Sequence, residues 1–127
     1  MSNHSDSKVL LTQRALHDLA EIEDYSIEKW NQRVADEYLD AIEEALNQIK
    51  AHPELLQVDP EFHQSLHIYR VRKHLLVCDF LKNSTVVLTV ISAVMDIPER
   101  LMELQPTFHR EVEILQEQLQ RVSNQSE

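Results

Sequence analysis

The run Val86-Val87-Leu88-Thr89-Val90-Ile91 limits most strongly what this chain can become. All of it except Leu88 is β-branched. Such side chains lose rotamer freedom in a helix and sit well on a pleated surface, so the run predicts a well-covered strand. Two runs upstream, Leu66–Val71 and Leu75–Leu81, also favour strands. Lys82-Asn83-Ser84 between the second and third runs predicts a hairpin turn. A sheet must bury an apolar face against another layer, and the rest of the chain has to supply that cover.

Helices supply it. Val9-Leu10-Leu11 reads as a first short strand, and Thr12 as the N-cap of a helix beginning near Arg14. Leu16, Leu19, Ile22, Ser26 and Trp30 follow at steps of three and four, marking one helical face. Asp18, Glu21, Glu23, Asp24 and Glu28 are expected mostly on the remaining surface. Asn31-Gln32 interrupts the pattern. A second helix is predicted from about Val34 to Lys50, with the stripe Val34, Tyr38, Ile42, Ala45, Ile49, ended by Pro53. Two amphipathic helices with so short a break form a helical hairpin. From Asp18 to Glu54 there are eleven acidic and three basic residues, so the hairpin holds most of the negative charge. Asp59-Pro60 marks a turn in the loop Glu54–Ser65. After the strands, Asp96 is placed to cap a helix with Pro98 in its first turn. That helix is expected over Glu99–Leu104 and to break near Pro106. A further helix over His109–Val122 carries the stripe Val112, Leu115, Leu119, Val122 and packs onto the domain or onto a second copy of the chain, as a homodimer. The reading is α+β: order β-α-α-β-β-β-α, a helical hairpin on a small, mainly antiparallel sheet. One domain is expected over residues 8–104, with a helical extension over 107–122. Residues 1–7 and 123–127 are read as loose tails.

The chain has 127 residues and no glycine. Turns are therefore expected on Asn, Asp, Ser or Pro, and a glycine-rich phosphate loop is excluded. The formal charge of −10 argues against broad, non-specific nucleic-acid binding while leaving room for one local basic site. A single cysteine, Cys78, excludes an intrachain disulfide framework and a cysteine-rich metal site. No apolar stretch approaches the roughly 20 residues that span a bilayer, and Met1–Ser7 lacks the apolar centre of a signal peptide. The expected compartment is the cytoplasm, with no membrane partner, cofactor or metal.

The densest basic cluster is Arg70-Val71-Arg72-Lys73-His74, just before the middle strand. In a strand Arg70 and Arg72 share one face, and an arginine fork grips phosphate or carboxylate. Arg70, Arg72, Lys73 and His74 are thus the candidate binding residues for a nucleic acid or an acidic partner. His67, His74 and Asp79 are candidates for moving a proton. Cys78 lies inside an apolar run and reads as a buried, inert thiol. Trp30 and Tyr38 read as packing residues. His63 and His67 are four apart in a loop entering a strand rather than on a helix, which suits solvated histidines better than metal ligands.

Several segments resemble the ParE/RelE superfamily of bacterial toxins. They are Leu11-Thr12…Ala15…Asp18-Leu19…Ile22…Tyr25-Ser26, Ala35…Tyr38-Leu39…Ile42…Leu46…Ile49…His52-Pro53-Glu54-Leu55, and Arg72-Lys73-His74-Leu75-Leu76-Val77. Val86–Ile91 with Met95-Asp96-Ile97-Pro98-Glu99-Arg100-Leu101 resembles the family's last strand and exit. The resemblance covers residues 9–101. It implies a helical hairpin on a small antiparallel sheet, and the toxin half of a type II toxin–antitoxin operon, neutralised by an antitoxin. ParE-type members poison DNA gyrase; RelE-type members cleave mRNA on the ribosome. The family often has tyrosine and arginine where this chain has Cys78 and Asp79, and a His-Gly-Arg-like turn where it has Ser92-Ala93-Val94. With the acidic composition, this favours a ParE-like toxin acting by protein contact. A RelE-like ribonuclease is the alternative, and an attenuated interaction protein retaining the fold is a third reading.

Overall fold

The computed structural model of the chain describes residues 8–94 and 96–125. Met1–Ser7, Met95 and residues 126–127 lie outside the described residues, as do the side chains of Leu119 and Val122 from the predicted C-terminal stripe. The order is β1 (Lys8–Leu11), α1 (Gln13–Lys29), α2 (Gln32–Ala51), a single 3-10 turn (Pro53–Leu55), β2 (Gln57–Val58), β3 (His67–Val71), β4 (His74–Leu81), β5 (Ser84–Ser92) and α3 (Ile97–Gln125). The α+β expectation holds, and β2 adds a short strand inside the segment read as loop.

The five strands form one sheet in the order β1-β5-β4-β3-β2. β1 runs parallel to β5; the other pairs are antiparallel. β5 is therefore an interior strand between β1 and β4, and Ser84 through Ile91 are all buried. The helical hairpin covers one face of the sheet: Ala15, Ile42, Ala45 and Ile49 pack with Leu76, Cys78, Val87 and Val90. The other face is covered by α3, where Ile97, Leu101, Leu104 and Phe108 pack with Leu75, Val77, Val86, Leu88 and Ile91. The unbroken apolar run of β5 suits a strand sandwiched between two helical layers.

The helix ends follow local chemistry. The Thr12 hydroxyl accepts from Ala15 N–H and starts α1; the Asn31 side chain accepts from Val34 N–H and starts α2. Each side chain satisfies a donor that has no partner within its helix. Asp96 does the same for Glu99 N–H at the start of α3. The predicted break at Pro106 is absent: α3 is continuous, with Pro106 inside it. Proline removes one helical hydrogen bond there, but Leu104 and Phe108 on either side are both buried against the sheet. Their shared packing holds the axis across the gap.

The β4–β5 turn falls in the expected Lys82-Asn83-Ser84 stretch, whereas the β3–β4 turn uses none of the expected turn residues. Val71 pairs with His74 and Leu81 with Ser84, so the turns are Arg72-Lys73 and Lys82-Asn83. Arg72 and Lys82 take φ of 54° and 55°, the left-handed region that glycine adopts most easily. Two-residue hairpins need positive φ to match the strand twist. In a chain without glycine, the pairing of long, buried strands imposes it on Arg72 and Lys82.

Candidate functional site

A cleft of about 690 Å³ opens where the helical hairpin meets the end of β5 and the β3–β4 turn. Ile22, Ser26 and Trp30 of α1 form one wall, with Val34 and Tyr38 of α2 beside them. Arg72, Lys73 and His74 form a cationic rim, and Val90, Ile91 and Ser92 of β5 lie at the base.

Tyr38 organises the rim. Lys73 N–H donates to the Tyr38 hydroxyl at 3.1 Å, and the hydroxyl lies 2.6 Å from His74 Nδ1. The Arg72 guanidinium sits 5.6 Å from the centre of the Tyr38 ring, within cation–π range. The Tyr38 hydroxyl thus accepts from Lys73 N–H and shares a second hydrogen bond with the His74 ring, whose direction is set by the imidazole tautomer. Burial lowers the His74 pKa below its ordinary 6.5, with the Asp18 carboxylate opposing that shift. His74 is therefore neutral at pH 7.

Asp18 closes the inner end of the cleft. It is buried, contrary to the expectation that it occupies the solvated side of α1. Its carboxylate accepts from Val90 N–H at 3.0 Å and from the Thr89 hydroxyl, and pairs with Arg14 Nε at 3.1 Å. A buried carboxylate needs such partners to offset its desolvation. Its position was visible in one respect: Ala15, Asp18, Ile22 and Ser26 recur at helical steps, placing an acid on the face that packs.

The predicted basic residues separate. Arg70 lies in β3 and lines a depression with Phe62, Ala93 and Ile97 on the α3 side, while Arg72 is a turn residue on the cleft. Arg70 Nε donates to the Arg72 carbonyl at 2.8 Å. The two do not share a face, and the expected arginine fork does not form, because the turn at Arg72 ends the strand alternation that the spacing implied. Lys73 and His74 remain with Arg72. His67 packs its ring edge on Phe80, 4.7 Å between centroids. Asp79 is exposed and accepts from Phe80 N–H. It lies five residues along β4 from His74, about 16 Å at strand rise. Cys78 is fully buried, and burial pushes its thiol up to about 12, with Asp79 adding to the effect.

Trp30 and Tyr38 were expected to pack. Tyr38 does so only in part and is the centre of the rim; Trp30 is 60% exposed at the cleft mouth, as is Tyr25. Lys29 lies 5.5 Å and 5.4 Å from their two ring centres. Helical spacing extends the apolar face to Trp30, but in the fold the residue stays open to solvent. The resulting site joins cations, exposed aromatics and a strand edge. Its Asp18, Tyr38 and His74 already serve one another or the backbone. Such a surface suits recognition of an acidic, partly apolar chain better than proton transfer.

Comparison with known proteins agrees with this architecture. No curated protein matches the sequence. Among solved structures, the chain is similar to one described as the chromosomal ParDE TA system from P. aeruginosa, with a TM-score of 0.62 and 13% identity. That likeness covers 71% of this chain and 98% of the other and concerns the fold. The family model of the ParE toxin of the parDE type II toxin–antitoxin system matches residues 9–97. That span holds the hairpin and all of the sheet but Lys8, so the chain belongs to the ParE toxin family of type II toxin–antitoxin systems.

Proposed function

We propose that this toxin acts by protein–protein contact on a gyrase-type target in the cytoplasm and is neutralised by a cognate antitoxin bound to its surface. The observation that carries the reading is the dispersal of the basic cluster. Arg72 stacks on Tyr38, Arg70 turns to the opposite face, and His74 Nδ1 is held by Tyr38. Phosphoryl transfer needs a base, a charge clamp and a proton donor converging on one phosphate. Here the cations instead frame an amphipathic cleft. Val94, where the resemblance places an arginine, is 89% exposed and adds no cation. No helix among the described residues is long and apolar enough to cross a membrane.

The test is induced expression in a host lacking the antitoxin, followed by supercoiling assays with purified gyrase. Growth arrest with inhibited supercoiling, relieved by co-expressed antitoxin, is expected. Normal growth with unchanged supercoiling at high soluble expression defeats the proposal. New RNA ends on translating ribosomes, lost in Arg72→Ala, replace it with the ribonuclease reading.

A further inference from the structure

We infer that Arg70 is a positioning residue for the cleft. Its side chain fixes the Arg72-Lys73 turn in the form that presents both cations, and it acts through the Arg72 carbonyl rather than by touching the partner. Resting on the protein-contact reading above, this role explains what keeps that surface ready for contact. The backbone of the turn shows the need. Arg72 takes φ of 54°, where a side chain crowds the following carbonyl and residues other than glycine seldom settle. Such a conformation persists only where its surroundings over-determine it. Three bonds do so here. Arg70 Nε in β3 donates to the Arg72 carbonyl at 2.8 Å, Lys73 N–H donates to the Tyr38 hydroxyl of α2 at 3.1 Å, and Ala93 N–H beyond β5 donates to the Lys73 carbonyl at 2.9 Å.

The β4–β5 hairpin provides a comparison within the same molecule. Lys82 takes φ of 55° in the Lys82-Asn83 turn. Among the described residues, no side chain and no other element bonds to the Lys82 or Asn83 backbone. A two-residue hairpin in this sheet therefore keeps a left-handed residue without braces, and the braces at Arg72 answer to more than the turn itself. What differs is the neighbourhood: Arg72 and Lys73 line the cleft, and Lys82 and Asn83 do not. Ordering a mobile loop subtracts from the free energy of association, so a turn that is already fixed presents its charges without that loss. Arg70 lines the depression on the α3 side with Ile68, Leu75 and Ile97, away from the cations of the cleft. Its Nε is committed to the Arg72 carbonyl, and through that bond it bears on the cleft.

The test separates the donor from the charge. Glutamine carries its amide nitrogen as many bonds from the backbone as arginine carries Nε, so Arg70→Gln keeps the donor and deletes the cation. Arg70→Lys keeps the cation and moves it one bond outward. Arg70→Met keeps only the length. Arg70 is exposed, so none of the three changes empties the core. In the 15N-labelled full chain, heteronuclear NOE values of the Arg72 and Lys73 amides are expected to match those of β4 in wild type and Arg70→Gln, and to drop in Arg70→Met and Arg70→Lys. Inhibition of purified gyrase is expected to weaken about fivefold in Arg70→Met and Arg70→Lys, the effect of one lost hydrogen bond, and to recover in Arg70→Gln. A cation that touches the partner gives the opposite order, with Arg70→Lys active and Arg70→Gln as weak as Arg70→Met, and that order overturns the inference. NOE values unchanged in Arg70→Met overturn it as well. A wild-type chain that leaves gyrase uninhibited defeats the protein-contact reading, and the NOE values then decide by themselves whether Arg70 fixes the turn.

Discussion

Glu111 and Arg14 are 97 residues apart in sequence, yet the Glu111 carboxylate accepts the Arg14 backbone N–H at 2.7 Å. The bond ties α3 to the first turn of α1 and puts a negative charge at the positive end of that helix. Thr12 caps one free N–H of α1 from its own segment and Glu111 caps a second from across the fold. Glu111→Ala is expected to cost about 1–2 kcal/mol, measured by urea denaturation. Glu111→Gln keeps an acceptor and is expected to recover part of the loss. Equal stability of all three proteins contradicts the role.

Residues 105–127 contain more than an appendage. Phe108 is buried at 4% exposure, and Val112 and Leu115 pack on the same cluster as Leu75 and Val86. A chain ending at Leu104 is expected to expose this sheet face, bind a hydrophobic dye and aggregate. A soluble fragment melting near the full-length temperature refutes the shared core and supports residues 8–104 as a self-sufficient domain.

Asp18 stands where β1 leaves β5 uncovered. Asp18→Ala strands Val90 N–H, the Thr89 hydroxyl and the Arg14 charge in one change. The expected loss is roughly 3 kcal/mol or more, with faster hydrogen exchange at Val90. Asp18→Asn keeps an acceptor for Val90 and is expected to lose less. A stability change below experimental error for Asp18→Ala removes the strut role.

His74 makes stability depend on pH in a defined direction. Its folded pKa lies below the ordinary 6.5 because burial disfavours the cation. Between the two values the unfolded chain binds the proton and the folded chain does not, so stability rises with pH across that window. The contribution is complete above about pH 6.5 and is lost as pH falls toward the folded pKa. His74→Gln is expected to flatten this part of the stability profile. A wild-type profile parallel to the variant's from pH 7 to 5 argues against it.

Cys78 is expected to resist iodoacetamide in the native protein at pH 8 and to react on unfolding. Its thiol is pushed up to about 12 and buried, so almost no thiolate is exposed to the reagent. Rapid native alkylation, followed by mass spectrometry, disproves the inert reading.

Local sequence was enough for the elements. The β-branched run became an interior strand of the sheet, Thr12 and Asn31 capped the two hairpin helices, and Pro53 followed the end of the second. These outcomes depend on side-chain shape and on donors satisfied within a few residues. The basic cluster was legible as residues but not as geometry. Strand alternation alone puts Arg70 with Arg72, whereas the β3–β4 register turns the chain at Arg72 and parts them. The same register forced positive φ onto Arg72 and Lys82. Asp18 is an acid that helical spacing cannot distinguish from a solvated one, because its partners Thr89 and Val90 lie more than seventy residues away. The continuity of α3 through Pro106 depended on Leu104 and Phe108 finding the sheet. Local chemistry thus determined which segments are strands and helices and where they start. Only tertiary packing decided which polar groups meet in the cleft, because those partners are brought together by the sheet rather than by the chain.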